Sequence, residues 1–316
     1  MPRHRHQLPQ LRDELFLTDG GLETTLIFDQ GLELPGFAAF HLLKDEAGTA
    51  ALRRYFRAYT ALAVQFQTGL ILESATWRAN ADWGHRLGYT DNTLDKANRA
   101  AIHLLEELRT ELAHHGPVVL SGCVGPRGDG YIASNAMTSE QAASYHHAQV
   151  ETFAGTAADM VCAITMNYSA EAIGVTRAAQ RAGMPVAISF TVETDGRLPT
   201  GQSLGDAIQE VDGSTDSYPS YYLLNCAHPS HFEGAFASEP WTARIRGLRA
   251  NASTKSHAEL NESTELDNGN PVELGEHYAR LRVGPLPRLN VMGGCCGTDH
   301  RHVERIAAAC KPIFSA

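Results

Sequence analysis

Several things are missing from this chain, and each absence narrows what it can be. No stretch reaches the roughly 18 consecutive apolar residues of a membrane span. There is no excess of basic charge: 26 Lys and Arg against 36 Asp and Glu give a formal net charge of −10. A protein that grips nucleic acid or an anionic membrane needs a cationic face, so neither partner is expected. Residues 1–10 are basic but lead into no apolar segment, so they do not read as a signal peptide. Cysteines are few and irregularly spaced, six in 316 residues, which makes no disulfide framework. The expected compartment is a reducing cytoplasm, with the thiols free. No short repeat, low-complexity block or interdomain linker is visible. No G-x-G-x-x-G follows the first apolar run, which argues against a dinucleotide-binding open sheet.

What the chain does have is 43% apolar residues and a recurring unit: a short apolar run, a polar turn, then a helical pattern. Strands are expected at 15–18, 70–72, 117–120, 160–164, 186–190, 221–224, 245–250 and 289–292. Helices are expected at 47–68, 93–115, 138–157, 169–182 and 300–310, with weaker helical segments near 200–211 and 228–236. Residues 261–270 read as a polar loop. Eight strands alternating with helices over this length predict a single α/β domain, a (β/α)₈ barrel spanning 13–316, with its chemistry at the C-terminal ends of the strands. Residues 1–12 are expected to be a disordered arm. Oligomeric state is not legible.

The most distinctive stretch is Val291-Met292-Gly293-Gly294-Cys295-Cys296-Gly297-Thr298. Neighbouring cysteines rarely pair with each other, because the bridge strains the backbone. Two thiols projecting from a Gly-rich turn suit a soft metal, with zinc the first choice. On the barrel reading Cys226 ends strand six, and Cys295 and Cys296 end strand eight, so all three face one mouth. Three thiolates leave one tetrahedral position free, the pattern of a catalytic zinc. A substrate thiol bound there would be a thiolate at neutral pH, and a strong nucleophile toward an activated methyl group. Cys162 and Cys310 read as core, and Cys123 as pocket lining. His228 and His231 read as loop residues, since three thiols already suffice.

Asp19-Gly20-Gly21, Gly125-Pro126, Asn225-Cys226 and Gly293-Gly294-Cys295-Cys296-Gly297, in this order, resemble the zinc-dependent homocysteine S-methyltransferases. The resemblance runs over about residues 15–310. It implies a zinc ion held by Cys226, Cys295 and Cys296, and methyl transfer from a sulfonium or quaternary-ammonium donor to a thiol such as homocysteine, giving methionine. It further implies that Asp19, Gly20 and Gly21 help hold the amino-acid end of the acceptor, that Asn225 orients the metal loop, and that Thr165 and Asn251 lie near the site. The small-molecule donor and the thiol acceptor are then the only partners implied.

Two departures from that pattern stand out. Where the family carries Glu-Thr after strand four, this chain has Ile164-Thr165, without the carboxylate that binds the substrate ammonium. Where a Thr-Glu pair often follows strand one, it has Thr24-Thr25. Conversely, Glu73 and Glu193 sit at predicted strand ends and are candidate substrate carboxylates, with Trp77, Trp83, Tyr131 and Tyr168 as candidate aromatic walls. An alternative reading is methyl transfer or demethylation of a non-homocysteine substrate on the same zinc barrel. A third is a zinc-stabilised barrel without catalysis.

Overall fold

A computed structural model of the chain describes residues 1–112, 116–134, 136–236 and 239–314. Eight strands follow in order: β1 Phe16–Leu17, β2 Gly69–Glu73, β3 Val118–Val124, β4 Met160–Met166, β5 Val186–Thr191, β6 Tyr221–Asn225, β7 Ile245–Ala250 and β8 Val291–Gly294. Each pairs in parallel with the next, and β8 pairs with β1, closing the barrel. The helices are α1 Leu22–Thr24, α2 Glu46–Phe66, α3 Ala81–Arg86, α4 Asp91–Glu111, α5 Ser139–Ala154, α6 Ser169–Ala182, α7 Leu204–Ser214, α8 His257–Asn261, α9 Pro271–Val283 and α10 His300–Cys310. The (β/α)₈ expectation is met, and all eight expected strands are present.

Local chemistry sets the helix ends. The Asp45 side chain accepts from Gly48 N to start α2, and Thr138 and Gln141 form the reciprocal cap of α5. Asp299 caps α10, its side chain accepting from Arg301 N. The long α2 turns Leu52, Tyr55, Phe56 and Tyr59 toward the strands. The helix expected at 93–115 ends at Glu111 in the structure, and its expected last turn, 113–115, lies outside the described residues, as do 315–316 at the end of the expected domain. The expected helix near 228–236 is two 3₁₀ turns, Pro229–His231 and Glu233–Ala235. Helix α9 had no sequence assignment, although Asn270 caps it with Pro271 at its first position, a legible start signal.

Alternation along the strands places the core and the site together. Leu70, Leu72, Val118 and Leu120 face the helices, while Ile71, Val119, Cys162, Tyr221 and Val291 fill the barrel interior. The same period puts Glu73, Ser121, Asn225, Arg249 and Gly293 inward, in the uppermost layer.

Within the first twelve residues, expected to be a disordered arm, several side chains and backbone groups make packed contacts. Backbone N–H groups of Arg3 and His4 donate to Asp159, and the Arg5 guanidinium donates to carbonyls of Ala154, Thr156 and Ala158. Gln10 is fully buried under the barrel, its amide donating to Met160 Sδ at 3.1 Å. Asp159 is itself fixed by Arg109 at 2.9 Å, so the arm docks on a charge already built into β4's entry. No described helix is long and apolar enough to cross a membrane.

Candidate metal centre and active site

The β8 turn is shaped by close packing. A Cβ on Gly293 would collide with the Thr18 side chain, and one on Gly294 with the Thr298 side chain. Backbone bonds then fix the cysteines: Gly294 N donates to Asp19 O at 2.9 Å, and Cys295 N to Ala250 O at 2.8 Å. Gly294→Ala is therefore expected to displace the turn and lower metal affinity at least tenfold, measured by competition with a chelator.

The third cysteine arrives from β6 in an unusual conformation. Cys226 has φ 56° and Thr165, at the end of β4, has φ 63°, a conformation disfavoured above all for a β-branched residue. Asn225 holds both. Its Oδ1 accepts from Thr165 N (3.0 Å) and Ser189 Oγ (2.6 Å), and its Nδ2 donates to Thr165 Oγ1 (2.9 Å) and Cys226 Sγ (3.1 Å). Asn225 is thus buried beneath the cavity, bonded to the thiol, rather than on the cavity wall. Asn225→Ala leaves these buried groups unpaired and releases the strain. It is expected to cost about 2–3 kcal/mol of unfolding free energy and to weaken metal binding about 10–100-fold. Denaturant titration and metal competition read the two effects separately.

The sulfurs of Cys226, Cys295 and Cys296 all lie within 4.8 Å of one another, and among the described residues they are the one group of three such side chains placed to hold a metal. The donor set fits zinc: soft, thiol-only, and compact enough for the about 3.8 Å sulfur spacing of a tetrahedral site. The sulfurs of Cys226 and Cys295 lie against each other, with Cα atoms 5.4 Å apart, and Cys296 is half-buried beside them. Two thiols brought close enough to share a metal are also close enough to oxidise to each other. Metal uptake should consequently depend on reduction. Protein kept in reductant is expected to take up one equivalent of zinc, and air-oxidised protein less than about a tenth of that, as read by metal analysis beside a thiol titration. Cys123 lines the cavity, and Cys162 and Cys310 are buried, as expected.

Beside the sulfurs lies a charged floor. Arg249, on β7, donates to Asp19 at 2.6 Å and to Glu73 at 2.7 Å, and its Nε to Gly294 O at 3.1 Å. Asp19 also accepts from Tyr55 OH at 3.0 Å, and Glu73 from Ser121 Oγ at 2.8 Å. Burial pushes both carboxyls upward, and the Arg249 charge opposes it. The partner of Glu73 is thus an arginine across the barrel, not the neighbouring Arg78.

Above the floor opens a cavity of about 340 Å³. Asp19, Gly20, Gly21, Glu73, Thr165 and Asn251 line it together with the three cysteines. Ile164 lines it too, as does Trp77. Glu193 stands outside the lining, its carboxylate 3.4 Å from His257 Nδ1. His257 itself lines the cavity, its ring tilted against that of Tyr131 with centroids 4.2 Å apart, and Tyr131 OH lies 3.8 Å from Cys296 Sγ. Trp83 does not line the cavity but packs on Arg78, 4.0 Å from its guanidinium carbon. Tyr168 is spent on Met137 N.

Sequence reasoning missed three groups. Arg249 was hidden in a strand whose pattern looked weak, although an arginine at an inward position of a barrel strand was itself the signal. Arg78 was not singled out, although it lines the cavity in its own right. Glu23 was overlooked because the expected order was Thr-Glu. The chain reads Leu22-Glu23-Thr24-Thr25, and Glu23 reaches the cavity wall. Burial pushes its carboxyl up to about 7.

A closed parallel barrel carries a cluster of three cysteines at the C-terminal mouth of its strands, the face on which barrel enzymes place their chemistry. Residues 16–310 match the family model described as homocysteine S-methyltransferase, and the chain belongs to that family. It is a methyltransferase. Among solved structures, the metallated form of the homocysteine methyltransferase MmuM from Escherichia coli aligns with a TM-score of 0.72 at 16% identity, over 94% of this chain and 96% of that one. The oxidized form aligns at 0.73 and 16%, over 97% and 99%, and the apo form at 0.66 and 17%, over 96% and 98%. At this identity the likeness speaks for the fold. No curated protein matches the sequence.

Proposed function

We propose that the methyl acceptor is homocysteine, that its sulfur is received at Cys226, Cys295 and Cys296 with zinc as the metal, and that the product is methionine. The observation that carries this is the convergence of three thiols on the wall of a cavity whose other walls are amino-acid sized and partly apolar. Zinc, when bound there, supplies the positive charge that keeps an acceptor thiol deprotonated at neutral pH. Every other part is played by the chain. Asn225 donates to Cys226 Sγ and fixes that ligand's direction. Arg249 holds Asp19 and Glu73 in place, so the floor is rigid before substrate arrives. Trp77, Tyr131, Phe28 and Phe37 offer aromatic surface around the entrance, which excludes water from a nucleophilic sulfur and suits a cationic methyl donor, a sulfonium or quaternary ammonium. A reducing compartment such as the cytoplasm would keep the cysteines available.

The test is a donor–acceptor matrix on zinc-loaded protein: betaine, S-methylmethionine and S-adenosylmethionine, each with and without homocysteine, with methionine measured by mass spectrometry. Methionine formed from at least one donor, dependent on zinc, is the expected result. Full activity after stringent zinc removal would contradict the assignment of the metal. No methionine from any donor would contradict the acceptor.

A further inference from the structure

The carboxylates at this cavity are not alike. Asp19 and Glu73 are both committed to Arg249, and Glu193 faces His257 from outside the lining. Glu23 alone among these four has no such partner. Apart from its own backbone N–H, no hydrogen bond or ion pair reaches its carboxylate among the described residues. It is nevertheless half-buried, in α1, just after the Asp19-Gly20-Gly21 turn. A partly withdrawn carboxylate without a counter-ion either takes up a proton or receives a cation.

The opposite charge stands on the next loop. Arg78 follows β2, is 5% exposed, and lines the same cavity. Its guanidinium is held flat between two indoles, 3.9 Å from the Trp77 ring and 4.0 Å from the Trp83 ring, and donates to Gly128 O at 2.8 Å. Its buried Nε has no partner, nor has the buried indole N–H of Trp77. Glu23 and Arg78 feel each other's charge, yet no ion pair joins them among the described residues. Across the cavity the buried Asn251 Oδ1 is also unpaired, while its Nδ2 is fixed on Cys226 O at 3.0 Å. The cavity lining therefore brings together an unmatched anion, an unmatched cation and the thiol cluster, with unpartnered polar atoms of Arg78, Trp77 and Asn251 buried in its walls. That is the complement of a molecule carrying an ammonium, a carboxylate and a sulfur.

We propose that Glu23 and Arg78 form a clamp for the two charged ends of an α-amino acid, Glu23 receiving the ammonium and Arg78 the carboxylate, with Asn251 Oδ1 and Trp77 Nε1 completing the hydrogen bonds. The clamp rests on the reading that the acceptor is an amino-acid thiol. It supplies from the loop after β1 the carboxylate that is absent at Ile164. Both are positioning residues: they fix where the sulfur falls and do not touch the reacting bond.

Calorimetric binding to reduced, zinc-loaded protein tests it, using homocysteine, its des-amino analogue mercaptobutyrate and its des-carboxy analogue aminopropanethiol. Wild type is expected to prefer homocysteine over each analogue by tenfold or more. Glu23→Gln should erase the preference over mercaptobutyrate while leaving that over aminopropanethiol. Arg78→Gln should do the reverse, and Glu23→Asp and Arg78→Lys should each restore part of what was lost. Zinc content and melting temperature, measured on every variant, separate lost clamping from a disturbed fold, and the two lysine and aspartate variants carry the test if a glutamine variant fails to fold. Wild type that discriminates while all four variants discriminate equally well overturns the clamp and leaves the acceptor assignment standing. Wild type that shows no preference for homocysteine overturns both.

Discussion

Cys296→Ala is expected to abolish methyl transfer, by at least about 10³-fold, while leaving the barrel folded. The reasoning runs from the ligand set. Thiolates supply most of the affinity of a sulfur-only zinc site, whose total is on the order of 10–16 kcal/mol in small zinc-binding peptides. Removing one of three protein ligands should therefore lower zinc affinity by several orders of magnitude. The fold should not follow, because Cys296 is half-buried at the rim and contributes nothing to the interior cluster of Phe16, Ile71, Val119 and Tyr221. Circular dichroism and melting temperature should thus stay close to wild type while zinc content and methionine formation collapse together. Retained zinc with lost activity would instead place Cys296 outside the ligand set.

Arg249→Met is expected to do the opposite, damaging the fold first. The guanidinium is 8% exposed, and the carboxylates it joins, Asp19 and Glu73, are 6% and 7% exposed. Breaking a buried ion group by removing one partner typically costs about 3–5 kcal/mol, because the remaining charge is left in a medium that cannot solvate it. Here two carboxylates are left. The sign of the pH dependence follows. Both acids already have their folded-state pKa raised by burial, against the pull of Arg249. Without that arginine it rises further. A group whose folded pKa lies above its unfolded value favours folding most below the unfolded pKa, near 4 for Asp and Glu, and that contribution is lost as pH climbs through the folded value. The variant should therefore be most stable in mild acid and lose stability steadily toward neutral pH and above. Urea melts at a series of pH values, compared with wild type, read this directly. A parallel offset at every pH would mean that the loss is one of packing rather than charge.

These two substitutions also show what could be seen in the sequence and what could not. Cys295 and Cys296 stand side by side between glycines, a local pattern that packing alone does not call for, and Cys226 ends an apolar run. Such features survive in one dimension. The Arg249–Asp19–Glu73 group does not, because its members lie on β7, β1 and β2 and meet only when the sheet closes. Each strand's alternation told which way its residues point. None told which inward side chains share a layer. The N-terminal arm was opaque for a related reason: its anchor, Asp159, is more than 150 residues away. Glu23 was missed on a narrower ground. A two-residue displacement of a carboxylate within a short helical turn changes which way it projects, and only coordinates show that it still reaches the cavity.

Zinc K-edge X-ray absorption on the reduced, zinc-loaded protein tests the central claim most directly, because it counts sulfur neighbours without relying on turnover. Three sulfurs and one lighter ligand are expected for the protein alone, and four sulfurs after homocysteine is added. A zinc environment with fewer than three sulfurs, or one that homocysteine leaves unchanged, would contradict it.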